Sequence, residues 1–182
     1  MKNQKPGDTL AQNSADKHTR MLLGVYLIAL FWILIFKLGV RFSYMDHRTV
    51  NLIPYQDYFL YGHIDRIEVI MNILIFVPAG LYAGLLLRKL NFLSIFLLLF
   101  AMSLCLEILQ FVFRIGAFDA TDLVNNTLGG LLGYAVIYLS RQITGSKLKI
   151  QKVINLLAIM ATVIMVILLI LLKLNKLPIR YQ

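Results

Sequence analysis

The sequence predicts an all-α protein, a polytopic transmembrane helical bundle of about five spans. Three observations carry that expectation. Of its 182 residues, 59% are hydrophobic and the mean hydropathy is +0.76; a soluble domain this apolar would expose large patches and aggregate. The apolar residues fall into long runs, each near the roughly 20 residues a helix needs to cross the hydrocarbon layer. One of those runs carries Glu107 and Gln110 in its interior. An acidic group at the centre of a span costs about 2.5 to 3.5 kcal/mol on insertion scales, and such groups face a bundle interior and mark a site.

Taken in chain order, residues 1–20 are polar, include Pro6 and Gly7, and lack a periodic apolar face. They read as a disordered cytoplasmic tail. The first apolar run starts too far along the chain, and runs too long, for a signal peptide. Five spans are expected at about 21–40, 67–87, 92–113, 122–140 and 153–172, with residues 21–140 forming the main membrane domain and 153–172 an additional C-terminal transmembrane helix. Pro78 removes a backbone donor inside the second span and predicts a kink. The segment from Arg41 to Arg66 exceeds a tight turn. Its aromatics, among them Tyr55, Tyr58 and Phe59, suit either an interfacial anchor or a cap over an outer site.

Charge sets the expected orientation. The net charge is +9, but its carriers flank the apolar runs, where positive charge sets topology; nucleic-acid binding is excluded on that ground. With the N-terminus inside, segments 1–20, 88–91 and 141–152 hold ten Lys and Arg, against seven on the outer segments, with Lys37 near the outer end of the first span. The N-terminus is therefore expected in the cytoplasm and the C-terminus outside. The single cysteine, Cys105, permits no internal disulfide and leaves the redox compartment open.

The polar residues inside the spans converge. Glu107, Gln110 and Arg114 are spaced i, i+3, i+7 and share one helical face. The fourth span opens with Asp122, Asn125 and Asn126 on one face, continued by Gly129, Gly130 and Gly133. The second span brings Glu68 and Asn72. All fall in the expected outer half of the bilayer, so one polar cluster facing outward is the simplest packing. Plainer roles stand beside this one: Asn72 and Gln110 as helix-to-helix glue, Glu107 as a neutral hydrogen-bonded carboxyl, Arg114 snorkelling to headgroups, and Asp122 as an N-cap. Gly80 with Gly84, and Gly129 with Gly133, form two Gly-x-x-x-Gly motifs suited to close helix packing; pairing the second and fourth spans through them would draw Asn72 toward Asn125 and Asn126. No His-Glu-x-x-His, Gly-x-Ser-x-Gly or phosphate-binding glycine loop occurs. No metal site or cofactor is expected. If the protein is an enzyme, Glu107 and Asp122 are its acid–base candidates.

Three blocks of this sequence resemble the VanZ-like family, named for a membrane protein associated with teicoplanin resistance. The first is Arg48-Thr-Val-Asn51-Leu-Ile-Pro54-Tyr, and the second Asn72-Ile-Leu-Ile-Phe-Val-Pro78-Ala-Gly80. The third is Glu107-Ile-Leu-Gln110, then Arg114, then Asp119-Ala-Thr-Asp122-Leu-Val-Asn125-Asn126-Thr-Leu-Gly129-Gly130-Leu-Leu-Gly133. Together they cover roughly residues 25–140 in family order. The resemblance implies a small polytopic protein of a bacterial, Gram-positive plasma membrane with a role in lowering susceptibility to lipid-anchored glycopeptides. It adds Arg48, Asn51 and Pro54 of the outer loop, and Asp119, to the site. The leading expectation is an outer-leaflet polar site that binds or shields a membrane lipid, a cell-wall precursor or the lipoglycopeptide itself. The alternatives are an intramembrane enzyme acting on an envelope lipid or glycan, a small transporter using Glu107, and a structural partner subunit.

Overall fold

The computed structural model describes residues 6–36, 50–62, 66–113, 117–144 and 146–173. They are mostly helical: α1 (Pro6–Phe36), α2 (Gln56–Tyr61), α3 (Arg66–Leu86), α4 (Phe92–Val112), α5 (Ala120–Thr144) and α6 (Lys147–Lys173), with two-residue strands β1 (Val50–Asn51) and β2 (Phe118–Asp119). Among the described residues, α3 and α4 are long and apolar enough to cross a membrane. The strands pair in parallel, Val50 with Phe118 and Asn51 with Asp119. This small departure from an all-α fold pins the loop before α2 to the connection between α4 and α5.

Short connections dictate the central packing. Asn91 caps α4, its side chain accepting from Ser94 N at 2.8 Å, and so the chain reverses within five residues of α3. Helix α4 runs antiparallel to its successor as well, which leaves α3 and α5 parallel. These two lie in close contact because glycine replaces side chains along the seam. A Cβ at Gly80 would collide with the Gly130 carbonyl, and one at Gly129 or Gly133 with the carbonyls of Ile73 or Val77. Gly84 faces the Ile137 side chain, 2.9 Å from where its Cβ would stand. The core under this seam comprises Phe76, Ala79, Ala83, Ile95, Leu99 and Leu106, closed by Leu30 of α1.

On α4 the buried residues are Ile95, Leu99, Ser103, Leu106, Glu107 and Gln110, a single stripe at helical spacing. Its other face is apolar and exposed, including Leu93, Leu97, Ile108 and Val112. An apolar outer face of this kind is what a lipid surround selects. Pro78 lies inside α3, and the Tyr26 hydroxyl of α1 reaches that region to donate to Ile75 O at 3.0 Å.

Residues 6–20 correct the expectation of a disordered tail: they form the first half of α1. The cause is a polar face where an apolar one was sought. Gln12, Asp16 and Thr19, at i, i+4 and i+7, meet Gln151 and Asn155 of α6. Gln12 Nε2 donates to Gln151 Oε1 at 2.7 Å, and Gln151 Nε2 donates to Thr19 Oγ1 at 2.7 Å and to Asp16 Oδ1 at 2.9 Å. The buried Thr19 hydroxyl sits 2.9 Å from Asn155 Oδ1. Arg88, in the α3–α4 turn, closes the set with an ion pair to Asp16 at 3.0 Å. The first five residues, and the end of the first expected span at 37–40, lie outside the described residues.

Candidate functional site

The end of α4, the start of α3 and the start of α5 come together at one end of the bundle, and the β1–α2 segment crosses over them. Glu107 is 2% exposed, and its Oε2 accepts the backbone N–H of Asp119 at 3.0 Å. A buried carboxyl is tolerable only with such partners. Gln110, one turn further along α4, is also buried, and both residues make further interactions.

Asp119 organises the connection. Its Oδ1 accepts from Thr121 N at 2.6 Å, which is the N-cap geometry for α5. Asn51 Nδ2 stands 3.4 Å from both of its carboxyl oxygens, while Asn51 Oδ1 accepts from Ile53 N at 3.2 Å. The N-cap role considered for Asp122 therefore belongs to Asp119. Asp122 instead lies in the first turn of α5 and accepts from Asn72 Nδ2 of α3 at 2.5 Å. The same end of the bundle thus joins Asn51, Asn72, Glu107, Gln110, Asp119, Asp122, Asn125 and Asn126. Pro54 is exposed in the turn before α2. Arg48 and Arg114 lie outside the described residues.

Tyr55 and Thr121 belong to the site and were not singled out by sequence reasoning. Tyr55 has φ 56° and ψ 31°, the left-handed region, which an aromatic residue occupies at a cost. Its N–H donates to Thr121 Oγ1 at 3.0 Å, and its hydroxyl donates to Asn125 Oδ1 at 2.7 Å. Its sequence signals were its position at the end of the first motif block and its place among loop aromatics that suited either an interfacial anchor or a cap over an outer site.

Three buried polar atoms have no hydrogen-bond partner among the described residues: Ser103 Oγ, Asn125 Nδ2 and Asn126 Oδ1. Their side chains are 0%, 1% and 2% exposed respectively. The register explains why they share a level. A Cβ on Gly130 would meet Leu99, and in the antiparallel α4–α5 pair one turn toward the connection sets Ser103 opposite Asn126. One further turn sets Glu107 opposite Asp122. Each buried, unsatisfied group costs about 1 to 3 kcal/mol, so leaving three of them at one level of the bundle is expensive unless something uses them. Among the described residues, no group of three or more His, Cys, Asp or Glu is placed to hold a metal ion.

Fold and site define a helical protein with a buried cluster of amides and carboxyls at one end, crossed by a short loop segment. The chain belongs to the VanZ/LLP1 family, whose family model matches residues 23–141. It is similar to Protein VanZ of Enterococcus faecium, with 38% identity over 140 residues, covering 75% of this chain and 83% of that protein. No solved structure matches it.

Proposed function

We propose that this chain is a multi-pass envelope protein of a bacterial plasma membrane whose outer-facing polar cluster binds or shields a lipid or cell-wall precursor, lowering susceptibility to teicoplanin-type glycopeptides. The reading includes five spans: α1, α3, α4, α5 and α6 each hold 21 residues or more, at least about 31 Å at 1.5 Å per residue. Five spans put the termini on opposite sides, and the excess of Lys and Arg on segments 1–20, 88–91 and 141–152 favours a cytoplasmic N-terminus and an external C-terminus. The polar cluster then lies toward the outer leaflet, where a drug with an acyl tail and a wall-binding headgroup meets its target.

The observation that carries the reading is the burial of Glu107, bonded to the Asp119 N–H, and of Asn125 and Asn126 at one end of the bundle. Polar groups placed inside membrane proteins at such cost are functional by default. The test is a deletion strain complemented by wild type or by Glu107→Gln at matched membrane levels. Teicoplanin tolerance should fall on deletion and return with wild type only, with vancomycin as the comparison drug. A C-terminal phosphatase fusion in the same strain should be active, as an external terminus requires. Unchanged susceptibility on deletion rules the resistance role out.

A further inference from the structure

We propose that Ser103, Asn125 and Asn126 form a subsite for an uncharged, hydroxyl-bearing headgroup, a sugar or polyol, and that the Tyr55 hydroxyl occupies part of that subsite in the closed form. The proposal rests on the membrane-level binding site argued above and specifies what it takes. The three side chains are buried, and each carries an unpartnered polar atom. What they offer is mixed: Asn125 Nδ2 is a donor, Asn126 Oδ1 an acceptor, and Ser103 Oγ either. A phosphate or carboxylate only accepts, so it would satisfy Asn125 and face the Asn126 carbonyl with lone pair against lone pair. An ammonium only donates and fails at Asn125. A hydroxyl accepts and donates at once, and vicinal hydroxyls do so at two neighbouring points.

Tyr55 shows that Asn125 already takes a hydroxyl. Its OH donates to Asn125 Oδ1 at 2.7 Å, using half of that amide and leaving the other half unmatched. The segment carrying it is held by the β1–β2 pair and by Thr121, yet much of it faces outward. Leu52, Phe59 and Leu60 are 70%, 75% and 61% exposed, and Tyr55 itself holds a left-handed backbone conformation. An incoming hydroxyl that replaces Tyr55 on Asn125 therefore exchanges like for like, satisfies the unmatched atoms, and releases a reluctant backbone conformation.

The experiment uses full-length protein in phosphatidylcholine nanodiscs, titrated with three lipids of matched chains and read by native mass spectrometry. Glucosyl diacylglycerol should bind at least about tenfold more tightly than diacylglycerol or phosphatidic acid. Tyr55→Phe, which keeps the ring but removes the competing hydroxyl, should tighten glucosyl-lipid binding several-fold. Asn126→Leu should abolish the preference between the lipids; if that variant does not fold, Tyr55→Phe decides alone. Methyl glucoside added in solution identifies the source: competition admits a free sugar, and its absence restricts the site to lipid-borne ones. Diacylglycerol carries a single hydroxyl, so its equal binding overturns a sugar or polyol headgroup, and an unchanged Tyr55→Phe overturns the proposal as well. Preference for phosphatidic acid overturns it while leaving a lipid-binding site intact, whereas no binding of any lipid removes both readings.

Discussion

Asp119 joins three parts of the site through one side chain. It caps α5 at Thr121 N, approaches Asn51 across the strand pair, and lends its own N–H to Glu107. Asp119→Ala should therefore cost about 1 to 2 kcal/mol of stability through the lost cap, read as a lowered Tm in detergent. Asp119→Asn keeps a capping oxygen and should retain most of that stability. Equal Tm for both variants and wild type would show the cap to be dispensable. At this scale the sequence was partly legible. Glu107, Gln110, Asn125 and Asn126 stood out because polar groups in apolar spans are costly wherever they occur. The capping residue did not stand out, since Asp119, Thr121 and Asp122 all carry capping side chains within four residues and only backbone geometry separates them. Tyr55 was hidden for a different reason: its partners Thr121 and Asn125 are 66 and 70 residues away, and nothing local announces a left-handed tyrosine.

The α3–α5 seam is an element-scale device, and its glycines are not equivalent. At Gly129 a Cβ would strike the backbone of Ile73, which cannot move without displacing α3. Gly24 of α1 has no neighbour within 4 Å of such a Cβ. Gly129→Ala should thus destabilise the protein by about 1 to 3 kcal/mol, the range for overpacking a close contact. Gly24→Ala should be neutral or stabilising by up to about 1 kcal/mol through helix propensity. Thermal unfolding of the two variants in the same detergent separates them, and equal Tm values would refute a tight seam. The seam was readable in part because small residues at i and i+4 suit close helix packing, a motif common in membrane helices, and the short α3–α4 and α4–α5 connections allow only one mutual direction. The α1–α6 pairing was not readable. Its contact face is made of Gln, Asp, Thr and Asn, so a search for apolar periodicity passes over residues 6–20, although the spacing of Gln12, Asp16 and Thr19 matches that of Gln151 and Asn155.

Across the whole molecule, polar networks hold both ends of an apolar bundle. At the end away from the candidate site, Asp16 links α1, α6 and the α3–α4 turn, accepting from Gln12 at 2.8 Å and from Gln151 at 2.9 Å, and pairing with Arg88. Lys17 and Arg20 line the same hollow as Asp16. Burial works to raise the Asp16 carboxyl, but hydrogen bonds from Gln151 and Gln12 and the Arg88 charge outweigh it, leaving the group below its ordinary value of 3.8. A carboxyl depressed on folding stabilises the native state above its unfolded pKa, and that contribution disappears as pH falls through the folded pKa. The wild-type Tm should therefore drop on acidification below about pH 3.8, as the lock between α1 and α6 is protonated. Asp16→Asn removes the titration and the ion pair together. Its Tm should be lower than wild type at neutral pH, and the two curves should converge as the pH falls through this window. Curves that stay parallel across it would mean that Asp16 carries none of the acid sensitivity and that the uncharged contacts of Thr19, Gln151 and Asn155 hold the helices together by themselves.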